Sequence, residues 1–166
     1  MENMLKELIV VLEDLAGLYR SLLDILLSEK KAVVSAKLDA VNASRIKKET
    51  VLSLIHAKDE KRKGVVGKIS DCLGCPPLGL TLTQLAQRVE VPFSLKLIQC
   101  AADISSLVQD IHRANEINKS LITHSLKLIR SSINLIVQLV TPPPVYFRTG
   151  KIYQREVCGT VLSSSV

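Results

Sequence analysis

Asn115-Glu-Ile-Asn118-Lys-Ser-Leu121-Ile122 forms the centre of residues 97–140, the stretch whose reading decides the fold. Apolar or small residues recur at positions 97, 101, 104, 108 and 111, and again at 122, 125, 129, 132, 136 and 139. The intervals alternate between four and three, the heptad spacing that holds one stripe of a helix against its neighbours. Asn115 and Asn118 fill the two positions between those runs, on the stripe itself. An amide pair in an apolar seam either fixes the register of a bundle as a polar layer or serves a partner that offers hydrogen bonds.

The same period governs the N-terminal third. Leu5, Leu8, Leu12, Leu15, Tyr19, Leu22 and Leu26 keep heptad spacing, and Ile9, Ala16, Leu23 and Ile25 widen the stripe, as for a helix with more than one neighbour. A first helix is predicted over residues 3–34, with a break at 35–39 where Ser35 can cap the next helix. That second helix is expected over 38–72, turning Val41, Val51, Leu52, Ile55, Val65, Val66, Ile69 and Leu73 inward. Its polar middle, residues 58–63, either leaves the bundle or is simply exposed. Gly74 suits a left-handed helix end, and Pro76-Pro77 forbids continuation. A short helix is expected around residues 83–89, capped by Thr81 or Thr83, and Pro92 suits the first turn of the last helix, which ends before Pro142. At ~1.5 Å per residue that helix reaches about 70 Å against about 50 Å for the first two, so an apolar end is left to overhang.

The expected fold is therefore all-α: an elongated antiparallel helical bundle or coiled coil of three long helices plus a short one, with an extended C-terminal tail. The helical domain takes residues 1–140 and the tail 141–166, opened by Pro142-Pro-Pro144 as a stiff spacer. Thr149-Gly150 can turn a small hairpin. Tyr146, Phe147 and Tyr153 place most of the chain's aromatics in this tail, which reads either as a partner-docking segment or as a ribbon folded back on the bundle.

Composition supports helices. Hydrophobic residues make up 47% of the chain but aromatics only 3%, with no Trp, so Leu, Ile, Val and Ala must build the core; a β-sandwich usually leans on aromatic and β-branched runs. No apolar run approaches the roughly 18 residues of a membrane span, and the acidic start Met1-Glu-Asn-Met-Leu-Lys-Glu7 is unlike a signal peptide. The chain reads as cytoplasmic, without membrane insertion. Its net charge of +6 raises nucleic acid as a partner, yet the basic groups at Lys47-Lys48 and 58–63 are interrupted by Asp59 and Glu60 and carry no interleaved aromatics. A solvated helix face is the plainer reading of such runs.

Chemistry has little foothold. Cys72-Leu-Gly-Cys75 supplies half of a zinc set, and it sits at a helix C-terminus, where the dipole disfavours thiolate. His56, His112 and His124 are scattered, no carboxylate pair suggests acid–base work, and no Gly-rich phosphate loop is present. Neither catalysis nor a metal or cofactor is expected.

Taken in order, the leading Leu-heptad helix, Ala36-Lys-Leu-Asp-Ala40, Lys47-Lys48-Glu49 leading into Leu52, Asn115-x-x-Asn118-x-x-Leu121 followed by Ser125-Leu126, and Tyr146 four residues before Gly150 resemble the FlgN-type flagellar export chaperones. The net charge of +6 departs from the acidic balance common in such chaperones. The resemblance implies a cytoplasmic chaperone that binds the helical termini of hook–filament junction proteins (hook-associated proteins), prevents their premature assembly and delivers them to the type III export apparatus. It implies client binding through Asn115, Asn118, Leu121, Ile122, Ser125, Leu128, Ile129, Leu135 and Leu139. It also implies docking on an export-gate component by a tail bearing Tyr146, Phe147, Gly150 and Tyr153. Another helical coiled-coil adaptor or secretion chaperone, and a basic nucleic-acid-binding helical protein, stand as alternatives, and self-association is left open.

Overall fold

The computed structural model describes residues 1–74, 81–140, 145–146 and 152–153. The fold is all-α, with helices α1 (Glu2–Val34), α2 (Leu38–Leu73), α3 (Leu82–Ala86) and α4 (Phe93–Val140), followed by two-residue strands β1 (Val145–Tyr146) and β2 (Ile152–Tyr153). The chain divides into two compact units, residues 1–122 and 123–166.

In the first unit, α1 and α2 form an antiparallel hairpin. Lys48 meets Glu29 at 2.6 Å, Lys58 meets Asp14 at 2.6 Å, and Lys61 meets Glu7 at 3.4 Å, so partner numbers fall along α1 as they rise along α2. The corner between them is built by the backbone. Ala36 adopts a left-handed φ of 52°, while the amides of Ala36 and Lys37 donate to the carbonyls of Val33 and Ala32 at 3.1 and 3.0 Å. That is the 5→2 and 6→1 bonding of a Schellman end, with alanine where glycine is usual. Ser35, expected to cap α2, instead closes α1, its amide donating to the Lys31 carbonyl; Lys37 precedes α2 without a side-chain cap.

Gly74 ends α2 at a φ of 63°, the left-handed conformation that its lack of Cβ permits. Thr81 is the cap of α3: its Oγ1 accepts from the Gln84 amide at 3.2 Å, and Gln84 Oε1 accepts from the Thr81 amide at 3.0 Å. Pro92 stands directly before α4. Cys75, Pro76 and Pro77 lie outside the described residues.

Two apolar clusters fill the first unit. One joins Leu5, Leu8 and Leu12 of α1, Val65 and Ile69 of α2, Leu85 and Ala86 of α3, and Leu97 and Cys100 of α4. The other joins Val11, Leu15, Leu22 and Leu26 of α1 to Ile55 of α2, with Ile111 and Ala114 of α4 packed against it. Lys96 meets Glu13 at 3.1 Å and Asn118 reaches the Leu26 carbonyl at 2.8 Å, so α4 runs parallel to α1 and antiparallel to α2.

The polar middle of α2 stays on the hairpin. Lys58 and Lys61 pair across to α1, while Arg62 and Lys63 pair within α2 to Asp59. Burial pushes the Asp59 carboxyl up, but hydrogen bonds from Arg62 and Lys63 outweigh it and hold the group below the usual carboxylate range. Leu52, expected inward, is 50% exposed. The covered line of α2 passes through Ser44, Lys48, Val51, Ile55, Lys58, Arg62, Val65 and Ile69, and Leu52 lies one residue, about 100°, around from it.

In the second unit, β1 and β2 pair antiparallel with Val145 opposite Tyr153 and Tyr146 opposite Ile152, the pairing expected of a hairpin. Its expected turn at Thr149-Gly150 and the prolines 142–144 lie outside the described residues.

Candidate functional site

The site begins with the register of α4. Leu97, Cys100, Ile104, Leu107, Ile111, Ala114 and Asn118 are covered or half-covered in an unbroken alternation of three and four, and Ala101, expected on the stripe, is half-covered beside Cys100. Two sequence expectations are corrected by this. Val108 is 44% exposed and Leu107 takes its place; Asn115 is exposed and Ala114 takes its place. From Ile104 a step of either three or four stays near the same face, and only the neighbouring helices choose between them.

Asn118 is 2% exposed. Its Nδ2 donates to the Leu26 carbonyl at 2.8 Å and to Glu29 Oε2 at 2.9 Å, and Lys48 Nζ donates to Glu29 Oε1 at 2.6 Å. One residue from each long helix thus meets in a polar layer, buried at Glu29 and Asn118 and half-buried at Lys48. Glu29, only 3% exposed, was missed from sequence, although it is the next heptad step after Leu26. The Oδ1 of Asn118 has no hydrogen-bond partner among the described residues.

Farther along α4 the pattern reverses. Leu121, Ile122 and Ser125 are half-buried, but Leu128, Ile129, Leu135 and Leu139 stand 57%, 55%, 61% and 86% exposed. Leu126, Ile133 and Ile136, which join them at 49%, 40% and 60%, were not singled out as site residues from sequence. A contiguous exposed run of large aliphatic residues marks an interaction surface. Charge along it is one-signed: Lys119, Lys127 and Arg130 are its only charged residues after Glu116, and none has an ion pair among the described residues. Of the expected tail residues, Tyr146 and Tyr153 lie in the paired strands, while Phe147 and Gly150 fall outside the described residues.

No group of three or more His, Cys, Asp or Glu able to hold a metal occurs among the described residues. Cys72 is exposed at the end of α2; burial, chiefly, raises the pKa of the Cys100 thiol. No helix among the described residues is long and apolar enough to cross a membrane.

Exposed aliphatic runs of this size are characteristic of surfaces that bind other polypeptides. Residues 1–154 match the FlgN protein family, and the chain belongs to that family of flagellar export chaperones. No curated protein and no solved structure matches it.

Proposed function

We propose that this protein is a cytoplasmic chaperone that receives the helical termini of hook–filament junction proteins on the exposed run of α4, keeps them from assembling early, and passes them to the flagellar type III export apparatus. The observation that carries this reading is the exposure of Leu128, Ile129, Leu135 and Leu139 in a chain of this family. An amphipathic client helix docks by apolar anchors three and four residues apart, the spacing α4 itself displays. Leu121, Ile122 and Ser125 border the run, and Asn115 is a solvent-facing contact at its N-terminal edge. Asn118 belongs to the same proposed region, but its two hydrogen bonds serve the bundle.

Residues 141–166 act as a separate tail in this proposal, with Tyr146, Phe147, Gly150 and Tyr153 engaging an export-gate component. Binding involves no bond chemistry. The test is co-purification with hook–filament junction proteins. Leu128→Asp with Leu135→Asp should abolish recovery while far-UV circular dichroism stays unchanged, and Tyr146→Ala should spare client binding but lower export. Undiminished recovery with the double variant defeats the placement of the site, and no recovery with the parent protein defeats the function.

A further inference from the structure

Counted along α4, the buried seam at Leu97, Cys100, Ile104, Leu107, Ile111, Ala114 and Asn118 continues in heptad register as Leu121, Ser125, Leu128, Ser132, Leu135 and Leu139. A second line with the same spacing becomes unbroken at Ile122 and runs through Leu126, Ile129, Ile133 and Ile136. Upstream, that second register passes through Ile98, Ala101, Ser105, Val108, His112, Asn115 and Lys119, so its apolar line is broken there by polar residues. Neighbouring residues on a helix differ by about 100°, so the two lines together make a face about twice as broad as one heptad seam. In the first unit, a seam one line wide already meets apolar clusters drawn from both α1 and α2.

We propose that the exposed run of α4 is completed by two helices of one guest protein, with acidic residues flanking their apolar faces. This rests on the reading that α4 receives an exported polypeptide. Breadth argues for two helices, since one helix laid on either line leaves the other in water. Area agrees: the aliphatic side chains that stand 40–86% exposed on the two lines offer on the order of the ~800 Å² that each side of a standard interface buries. Charge selects the guest. Lys119, Lys127 and Arg130 stand without a carboxylate after Glu116, so a second copy of this run brings like charge against like. The chain's own residues 141–166, with Arg148, Lys151 and Arg155 against Glu156, are also net basic. Acidic flanks on a foreign helix pair are the complementary solution.

The experiment uses full-length protein carrying a photoreactive phenylalanine at Leu128 or Leu135 for one line and at Ile129 or Ile136 for the other. Each variant is irradiated with a purified hook–filament junction protein, and the adducts are mapped. The expected result is that the two lines label two different helical segments of one guest, and that Lys127→Glu with Arg130→Glu weakens binding by about tenfold or more. Labelling of a single helix from both lines, or of a second copy of this chain, overturns the two-helix guest but leaves the chaperone reading standing. Unchanged affinity on charge reversal overturns the acidic flanks. Absence of binding by the parent protein ends the chaperone reading, and this proposal with it.

Discussion

Replacing Asn118 by aspartate keeps the shape of the side chain and reverses what its inner end offers. The amide Nδ2 donates at 2.8 Å to the Leu26 carbonyl and at 2.9 Å to the Glu29 carboxylate; a carboxylate oxygen there faces two acceptors. Two unit charges 2.9 Å apart repel by about 6 kcal/mol at an effective dielectric of about 20. Taking up one proton is the cheaper course, because holding a carboxyl of ordinary pKa near 4 protonated at about pH 7 costs about 4 kcal/mol. The protonated group can donate to Glu29 but not also to Leu26, and the lost bond adds about 1 kcal/mol. Asn118→Asp should therefore destabilise the protein by about 5 kcal/mol near pH 7. The folded variant holds one more proton than the unfolded chain, so its pKa is raised on folding. Stability is then present below the unfolded carboxyl pKa and lost as pH rises, with a slope of about 1.4 kcal/mol per pH unit between about pH 4 and pH 7. Urea unfolding followed by far-UV circular dichroism, parent and variant side by side at each pH, measures this directly. Asn118→Leu, which removes both donors without adding a carboxyl, should cost only about 1–3 kcal/mol. A loss below about 2 kcal/mol for Asn118→Asp near pH 7, or a loss equally large near pH 4, refutes the closed polar layer.

Ala36→Gly should stabilise the protein by about 1 kcal/mol, because Ala36 holds a φ of 52° that costs an L side chain and not glycine; a thermal midpoint that falls instead counts against the Schellman corner. Leu8→Ala should cost about 2–5 kcal/mol, since Leu8 is fully buried in the cluster shared by all four helices, while Leu135→Ala, 61% exposed, should shift urea stability by less than about 0.5 kcal/mol. With Cys100 as the only remaining cysteine, alkylation of the native protein near pH 8 should be much slower than of the urea-unfolded chain, because burial raises the thiol pKa and shields the sulfur; equal rates contradict its place in the core.

The helices and their ends were largely legible because they are written in local chemistry. Gly74 and Thr81 announce their roles by residue type, and the leucines of α1 leave one choice of face. Register along α2 and α4 was harder. Val51 and Leu52, Leu107 and Val108, and Ala114 and Asn115 are neighbours about 100° apart, and each pair offers two acceptable residues for one seam. Which one turns inward is decided by helices far away in sequence, and the stripe as read placed both Asn115 and Asn118 inside. Glu29 escaped for a related reason: hydrophobic periodicity stops registering where the seam turns polar, yet the spacing does not stop. Its partners Lys48 and Asn118 are 19 and 89 residues away, a distance no local pattern spans. The exposed run on α4 was partly visible, since the length of the last helix predicts an overhanging apolar end and the family resemblance implied Leu128, Ile129, Leu135 and Leu139 there. Its doubling into two lines emerges only once the buried seam is fixed upstream.

The meeting of Glu29, Lys48 and Asn118 also restricts sliding. A shift of α4 by one heptad, about 10 Å, would keep leucines and isoleucines broadly matched, because greasy surfaces tolerate many alignments. Such a slip toward the C-terminal end would set Ile111 opposite Glu29, leaving a buried carboxylate short of a donor at a cost of several kcal/mol. The bundle therefore has one tooth in an otherwise smooth track, and sliding of α4 along α1 is resisted by three side chains acting as a latch.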